Sequence, residues 1–187
     1  MSQMSQPVGQ HVGAAGRGRP AGRGQHGRAG IRMSIGRGLL AGVTAGAAGT
    51  TALNAVTYLD MAIRGRPSSS TPEDTVQKLV DLIGATIPGD KETRANRLAG
   101  LGPLTGLTAG IGAGALLGVI RWAGWRSGLA ASTLIAGLAA MAAGDGPMTA
   151  LGVTDPRTWA PVDWVSDAIP HLAYGAVTAW ALQLMND

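Results

Sequence analysis

Residues 98–120 read LAGLGPLTGLTAGIGAGALLGVI, 23 consecutive positions without a charged side chain. Five of the glycines recur at every fourth position: Gly102, Gly106, Gly110, Gly114 and Gly118. As a helix the stretch is about 35 Å long, close to the roughly 30 Å hydrocarbon thickness of a bilayer. Small residues at this spacing form a ridge on which a second helix can pack closely. The stretch therefore predicts a membrane-spanning helix that packs through glycine.

Three further stretches lack charged residues over a similar length: 38–59, 127–144 and 168–186. The hydrophobic fraction of 45% is ordinary, but the chain has 30 glycines and no phenylalanine. A soluble core of this size needs bulky side chains, whereas packed membrane helices favour small ones. We therefore predict an all-α integral membrane bundle of four transmembrane helices over 38–59, 98–120, 127–144 and 168–186.

The N-terminal segment has a different composition. Residues 1–30 are rich in glycine and arginine and contain no leucine, isoleucine or aromatic residue. Such a segment buries too little apolar area to offset its ordering entropy. We predict a disordered tail over 1–32, followed by the membrane domain over 33–187, and Met33 is an alternative start of translation. For the basic run in the tail, a solvated segment that sets topology is favoured over contact with RNA or anionic lipid, so nucleic acid is not an expected partner.

The polar loop 60–97 predicts a short amphipathic helix on the membrane surface. Thr71 is a candidate N-cap residue, Pro72 suits the first helical position, and acidic residues follow in the first turn. The apolar residues then recur on one helical face: Val76, Leu79, Val80 and Ile83. Pro88-Gly89 is expected to end the helix.

Basic residues set the predicted orientation. The tail and the turn between Arg121 and Arg126 are rich in arginine, so both chain ends are expected on the cytoplasmic side of the membrane. The loop 60–97 then lies outside, although it also carries six basic residues. The lipid bilayer is the expected partner.

Two features carry functional hypotheses. The first span offers Gly42 and Gly46 as a counterpart to the glycine ridge. Packing within the bundle is the favoured interpretation of the ridge, and a homo-oligomer or larger assembly is the alternative. The predicted topology also gathers a polar cluster at the outer side: Asp60, Arg97, Asp145, Asp167, His171 and Tyr174. Ionisable groups inside spans are often functional, but polar groups near span ends more commonly anchor to headgroups. Asn54 is expected to bond a neighbouring helix.

A short pattern near the C-terminus resembles a known family. Leu151–Arg157 reads LGVTDPR and Ile169–Gly175 reads IPHLAYG. This resembles the LGL-x-x-P loop and HLxYG helix start of uncharacterised small bacterial inner-membrane proteins of the YagU-like kind, over about residues 35–187. The resemblance implies a four-helix inner-membrane protein, with His171, Tyr174 and Gly175 at the matching positions, and it implies no established activity.

The sequence contains no recognisable catalytic pattern. HExxH, GxSxG and P-loop motifs are missing, and there are no cysteines. We therefore expect no enzyme activity, no cofactor and no metal. A structural or interaction protein packed through glycine ridges is the leading hypothesis, and a small proton, ion or solute transporter is the alternative.

Overall fold

The computed structural model describes the backbone of residues 23–185 and the side chains of residues 35–185. This part of the chain is all-helical, as predicted. It contains α1 (Arg23–Arg64), α2 (Thr71–Leu82), α3 (Lys91–Trp122), α4 (Leu129–Ala150) and α5 (Pro161–Leu184), with a 3-10 turn at Pro156–Thr158. Because α1 begins at Arg23, residues 23–32 of the predicted tail are helical, and the prediction for residues 1–22 lies outside the described residues.

Three helical segments are long and apolar enough to cross a membrane: Ile35–Arg64, Lys91–Trp122 and Leu129–Ala150. They support a multi-pass membrane protein. Within the described residues α5 is not among them, since Asp167, His171 and Gln183 lower the hydropathy of its 24 residues. The fourth span therefore stays a prediction. All four long helices extend beyond the uncharged stretches, because charged side chains at helix ends can reach water.

The distribution of side-chain size is the reverse of that in a soluble domain. The buried core consists mainly of small residues: Ala41, Ala45, Ala113, Ala136 and Ala140, with Leu117, Tyr174 and Leu182. Large apolar side chains instead face outward, such as Leu40 at 68% exposure and Leu138 at 63%. An apolar surface of this extent is expected to face lipid, where helix association depends on close packing of small residues.

The four long helices form an antiparallel bundle. In it α3 packs against α1 and α4, and α5 also packs against α1 and α4. The ends of α1 and α4 and the starts of α3 and α5 therefore lie at one end of the bundle, together with α2. We call this the α2 end.

The helix α2 has the predicted position but different boundaries. Its N-cap is Ser70 rather than Thr71, and the Ser70 side chain makes no capping hydrogen bond to the backbone. The helix stops at Leu82, before Pro88-Gly89, because Gly84 adopts a φ of 68° and its N–H donates to the Asp81 carbonyl. Val76 is buried against the bundle, while Leu82 is 74% exposed. That this face lies on a membrane surface stays a prediction.

Candidate functional site

The glycine ridge of α3 packs against α1 of the same chain. A Cβ atom at Gly42 would lie 2.5 Å from the Gly114 carbonyl oxygen, and one at Gly46 would lie 2.9 Å from the Gly110 oxygen. A Cβ atom at Gly118 would overlap the backbone of Gly42. These contacts are between backbones, which cannot move aside as a side chain can. The close crossing of α1 and α3 therefore requires glycine on both helices.

Two glycines of the predicted ridge are not part of this crossing. A Cβ at Gly102 would lie 3.0 Å from the backbone nitrogen of Glu73 in α2, and one at Gly106 would meet no heavy atom within 4 Å. Four residues turn a helix through about 400°, so the ridge drifts by about 40° per step. As a result, Gly106 no longer faces α1, and Gly102 faces α2. The ridge from Gly102 to Gly118 therefore divides between two partner helices, and a Cβ at Gly106 would meet neither of them.

Close backbone contacts also position α5. A Cβ atom at Gly137 of α4 would lie 2.9 Å from the His171 carbonyl oxygen, and one at Gly175 would lie 2.8 Å from the Gly137 nitrogen. On the other side of α5, Gly49 of α1 faces Tyr174 and Thr178. Glycine thus allows α5 to approach α4 closely, and on the α1 side it makes room for the Tyr174 ring. The polar residues of α5 are thereby brought into the bundle.

Three titratable residues meet where α4 and α5 approach the α2 end. The His171 Nδ1 atom lies 2.8 Å from the Asp167 carbonyl oxygen and 3.3 Å from its Oδ1. The side chains of His171 and Asp167 are 14% and 21% exposed. Asp145 of α4 lies beside both, within hydrogen-bonding reach of the Asp167 carboxyl group. We call Asp145, Asp167 and His171 the carboxyl–imidazole cluster.

One oxygen of this cluster has no hydrogen-bond partner within the described part of the chain. The Asp167 Oδ2 atom is buried, and no donor among the described residues bonds it. The Asp167 side chain also interacts with the Asp145 carboxyl group, which offers further oxygen acceptors. Two adjacent carboxylates repel, and a hydrogen bond between them forms only when one carries a proton. The cluster therefore brings together two carboxyl groups that can share a proton and an imidazole.

Asp60 belongs to a separate ionic group at the same end. The Arg66 Nε atom donates to Asp60 Oδ2 at 2.6 Å, and Arg64 Nη1 lies 3.4 Å from Oδ1. The same Arg64 atom donates to the Ser166 hydroxyl of α5 at 2.7 Å. These contacts link α1 to α5. Asp60 therefore does not join the predicted cluster, because two arginines nearby in sequence already pair with its carboxylate.

Arg97 and Tyr174 are also placed apart from the predicted cluster. The Arg97 guanidinium donates to the Pro88 carbonyl oxygen, which holds the loop before α3. The Tyr174 side chain is fully buried, and its hydroxyl donates to the Gly110 carbonyl oxygen at 2.7 Å. Tyr174 thus joins α5 to α3 at the glycine crossing. Its phenol fills space that the glycines of α1 and α3 leave open.

Polar residues continue along the inner face of α5 beyond the cluster. Asp167, His171, Tyr174 and Thr178 recur at i, i+4, i+7 and i+11, and Thr178 donates to the Ala45 carbonyl oxygen at 3.4 Å. The row spans about 16 Å, roughly half of the hydrocarbon thickness. It ends at the buried, apolar Leu182. In the described part of the chain no hydrogen bond joins His171 to Tyr174, so the row is interrupted.

Asn54 lacks its predicted partner in the described part of the chain, and Pro170 interrupts the backbone hydrogen bonds of α5. The Asn54 side chain is exposed on α1 and makes no hydrogen bond to any described residue, so it does not bond a neighbouring helix of this chain. Pro170 lies inside α5 rather than in its first turn, since the helix begins at Pro161. A proline there removes one backbone N–H and frees the Ser166 carbonyl oxygen. Both features add unpaired polar groups to the bundle.

The loop before α5 is tied locally rather than to the cluster. Asp155 accepts hydrogen bonds from the backbone and side chain of Arg157, and these bonds hold the pKa of Asp155 below its usual range. Trp159 donates to the Thr154 hydroxyl and packs against Trp164, with ring centroids 5.0 Å apart. Within the described residues, no group of three His, Cys, Asp or Glu side chains has a metal-binding arrangement.

Sequence reasoning missed Ser166, Arg64 and Arg66, although Arg64 follows Asp60 at the i+4 spacing of a helical ion pair. It also missed Thr178, which continues the spacing of Asp167, His171 and Tyr174. A scan against protein-family models and searches of curated proteins and of solved structures each give no match to this chain.

Proposed function

We propose that the chain is a four-span membrane protein that binds a proton in the carboxyl–imidazole cluster and changes its α4–α5 packing in response. Two observations carry this proposal: the Asp167 Oδ2 atom is buried without a partner among the described residues, and the Asp167 and Asp145 side chains interact. A fourth span is supported by the length of α5, about 36 Å for 24 residues, and by its packing between α1 and α4. Placement in a bacterial inner membrane, with cytoplasmic ends, belongs to the proposal.

Electrostatics explain why the cluster should respond to protons. Two adjacent carboxylates repel strongly in a medium of low dielectric constant, so one shared proton stabilises the pair. The imidazole of His171 contributes a second titratable group, and its Nδ1 atom faces the Asp167 side chain. The groups that act on the cluster are those of α4 and α5, Asp145, Asp167 and His171. On the α1 side, Asp60 is neutralised by its arginines.

The structure favours proton binding over proton conduction. The polar row on α5 covers only half of the bilayer thickness, lacks a bond between His171 and Tyr174, and stops at Leu182. A conducting protein needs a continuous set of polar groups or waters across the membrane. We therefore propose exchange of protons with the solution at the α2 end alone. No catalytic role is proposed for any of these residues.

Infrared difference spectroscopy on the full chain in nanodiscs tests the site. A pH step should reveal the band of a protonated carboxyl group in the wild type, and Asp145→Asn should remove it. The matched control is Asp163→Asn, because Asp163 is an exposed residue near the start of α5 that accepts from the Ala160 backbone. Absence of the band in the wild type would contradict the proposal, as would its persistence in both Asp145→Asn and Asp167→Asn.

Proton flux into liposomes tests the choice between binding and conduction. Vesicles that contain the wild type should leak protons no faster than vesicles that contain Asp145→Asn. A faster flux in the wild type, lost in His171→Ala, would support the transporter hypothesis instead.

A second function, membrane assembly, is favoured by Asn54. The glycine ridges are used within the chain, so assembly needs another surface. An amide that faces lipid without a partner is costly, and a second amide from another helix can satisfy it. Thr51 and Ala55 are small exposed residues beside Asn54, and Tyr58, 61% exposed, lies one turn further along the same side of α1. Cross-linking in native membranes tests this: Asn54→Leu should reduce assemblies, and Asn96→Leu in the first turns of α3 should not.

A further inference from the structure

A half-enclosed cleft of about 270 Å³ lies between the end of α1 and the start of α5. Its walls are apolar, formed by Val56, Val162, Val165 and Ile169. Its rim is polar and carries Asp60, Arg64 and Ser166. The cleft thus combines an apolar interior with a charged edge at the α2 end, where the predicted spans meet water.

The charge at the rim is positive. Arg64 and Arg66 surround the single carboxylate of Asp60, so the group carries two positive charges and one negative charge. The arginine side chains are 41% and 27% exposed. Arg64 and Asp60 line the cleft, and Arg66 is joined to this rim through its ion pair with Asp60. The one carboxylate neutralises only one of the two guanidinium groups. The remaining positive charge faces the boundary between the bundle and its surroundings.

Both arginines also have N–H donors that bond no described residue. Arg64 uses only Nη1 to bond Asp60 and Ser166, and Arg66 uses Nε and Nη1. The Nε and Nη2 atoms of Arg64 and the Nη2 atom of Arg66 bond no described residue. Guanidinium groups bind phosphate oxygens through paired N–H donors, and two held side by side fit one phosphodiester better than a single mobile lysine.

We propose that this cleft binds an anionic phospholipid. The phosphate is held by Arg64 and Arg66, and the glycerol and first part of an acyl chain lie against Val162, Val165 and Ile169. The volume of about 270 Å³ is below the roughly 300 Å³ at which pockets enclose a whole small ligand. The cleft therefore holds the upper part of the lipid, and the remaining chains extend into the bilayer. This site is independent of the proton-binding cluster.

A lipid explains both halves of the site. A soluble phosphate would use the arginines but leave the apolar walls uncovered. A neutral lipid would use the walls but leave the excess positive charge without a partner. Each surface arginine near an anionic membrane contributes roughly 1 kcal/mol, which corresponds to about a fivefold change in affinity.

Native mass spectrometry of the full chain in mild detergent tests the proposal by titration with phosphatidylglycerol and phosphatidylcholine. The wild type should bind phosphatidylglycerol more tightly than phosphatidylcholine. Arg64→Gln and Arg66→Gln should each weaken phosphatidylglycerol binding about fivefold. Arg126→Gln, at the opposite end of the bundle, makes the same charge change as a matched control and should leave binding unchanged.

Two further variants distinguish lipid binding in the cleft from a nonspecific electrostatic attraction of the anionic lipid to the protein. Asp60→Asn removes the carboxylate that, among the described residues, pairs with both arginines, so it should tighten phosphatidylglycerol binding, whereas loss of structure would weaken it. Ile169→Trp fills the cleft without changing charge, and it should weaken binding of phosphatidylglycerol while circular dichroism shows an intact fold.

The proposal is overturned by equal binding of the two lipids, by an Arg126→Gln effect as large as that of Arg64→Gln, or by weaker binding in a folded Asp60→Asn. Unchanged binding in Ile169→Trp, with displacement by inorganic phosphate, would indicate a headgroup anion site and would also refute the lipid cleft.

Discussion

Gly114 of α3 should tolerate a methyl group far less well than Gly112, which lies two residues away on the same helix. A Cβ atom at Gly114 would overlap the backbone of Gly42 and Gly46 in α1, whereas one at Gly112 would meet no heavy atom within 4 Å. Since backbone cannot rotate away, Gly114→Ala must push α1 and α3 apart along the crossing. Gly112→Ala keeps every contact.

The size of the effect follows from these contacts. Overpacking in a tight core costs about 1–3 kcal/mol, and separation also weakens the dispersion contacts at Gly110 and Gly118. Both variants gain the same helix propensity, up to about 1 kcal/mol, so this contribution cancels in the comparison. The two variants should therefore differ by about 1–3 kcal/mol in free energy of unfolding. At about 2–4 °C per kcal/mol for a chain of this size, Tm should differ by roughly 2–12 °C.

Thermal unfolding of the two variants in the same mild detergent, followed by circular dichroism, measures this difference. The pair shares helix, depth and chemical change, so detergent effects cancel. Ala115 is a poorer control, because its backbone lies 2.8 Å from a Cβ placed at Gly42. If Gly114→Ala is as stable as Gly112→Ala, the crossing does not depend on glycine and the packing argument fails.

Three further predictions concern single side chains. Tyr174→Phe should cost about 1 kcal/mol in thermal unfolding, because it removes the buried bond to Gly110, whereas the exposed Tyr58 should tolerate the same change; equal losses would contradict this. Asp90→Ala should destabilise α3, because the Asp90 carboxylate accepts from the Thr93 backbone N–H, a bond that lowers the pKa of Asp90. The stabilisation by this bond is fully present above the ordinary pKa of 3.8 and is lost as pH falls through the lower pKa of the folded state. The difference in free energy of unfolding between Asp90→Ala and the wild type should therefore disappear in acid. A difference that does not depend on pH would refute the capping role. The free energy of unfolding of Asp145→Asn should fall less with rising pH than that of the wild type. Identical pH profiles of the two proteins would argue against the shared proton.

The sequence predicted the helices more reliably than the contacts between them. Uncharged stretches located four long helices, because charge is excluded from apolar spans whatever the packing. The glycine ridge indicated a close crossing, yet the period of four residues could not show that Gly106 faces open space, since helix drift matters only once the partner is placed. The cluster needed α4 and α5 to meet at Gly137 and Gly175, and no local pattern specifies that contact.

The polar cluster is a second case in which contacts between helices could not be predicted. Asp60 and His171 were predicted at the same end of the bundle, but Asp60 pairs with the arginines that follow it in sequence. Short-range ion pairs form with little loss of chain entropy, so they compete well with partners on distant helices. No arginine or lysine lies in the helix of Asp145 or in that of Asp167, although Asp167 contacts His171 one turn later. The two aspartates therefore meet each other, and this lack of local counter-charge was readable from the sequence.

Close helix packing connects the cluster to the rest of the bundle. The contact between Gly137 and the His171 backbone lies one turn of α5 from Asp167, so α4 and α5 have no bulky side chains there to absorb a movement. Loss of the shared proton would place two negative charges across this interface, and their repulsion acts directly on the helix separation. On the opposite face of α5, Tyr174 and Thr178 bond backbone carbonyls of α3 and α1. A displacement of α5 at the cluster is therefore resisted by the same side chains that fix the glycine crossing, and a proton bound at one end can alter packing at the centre of the bundle.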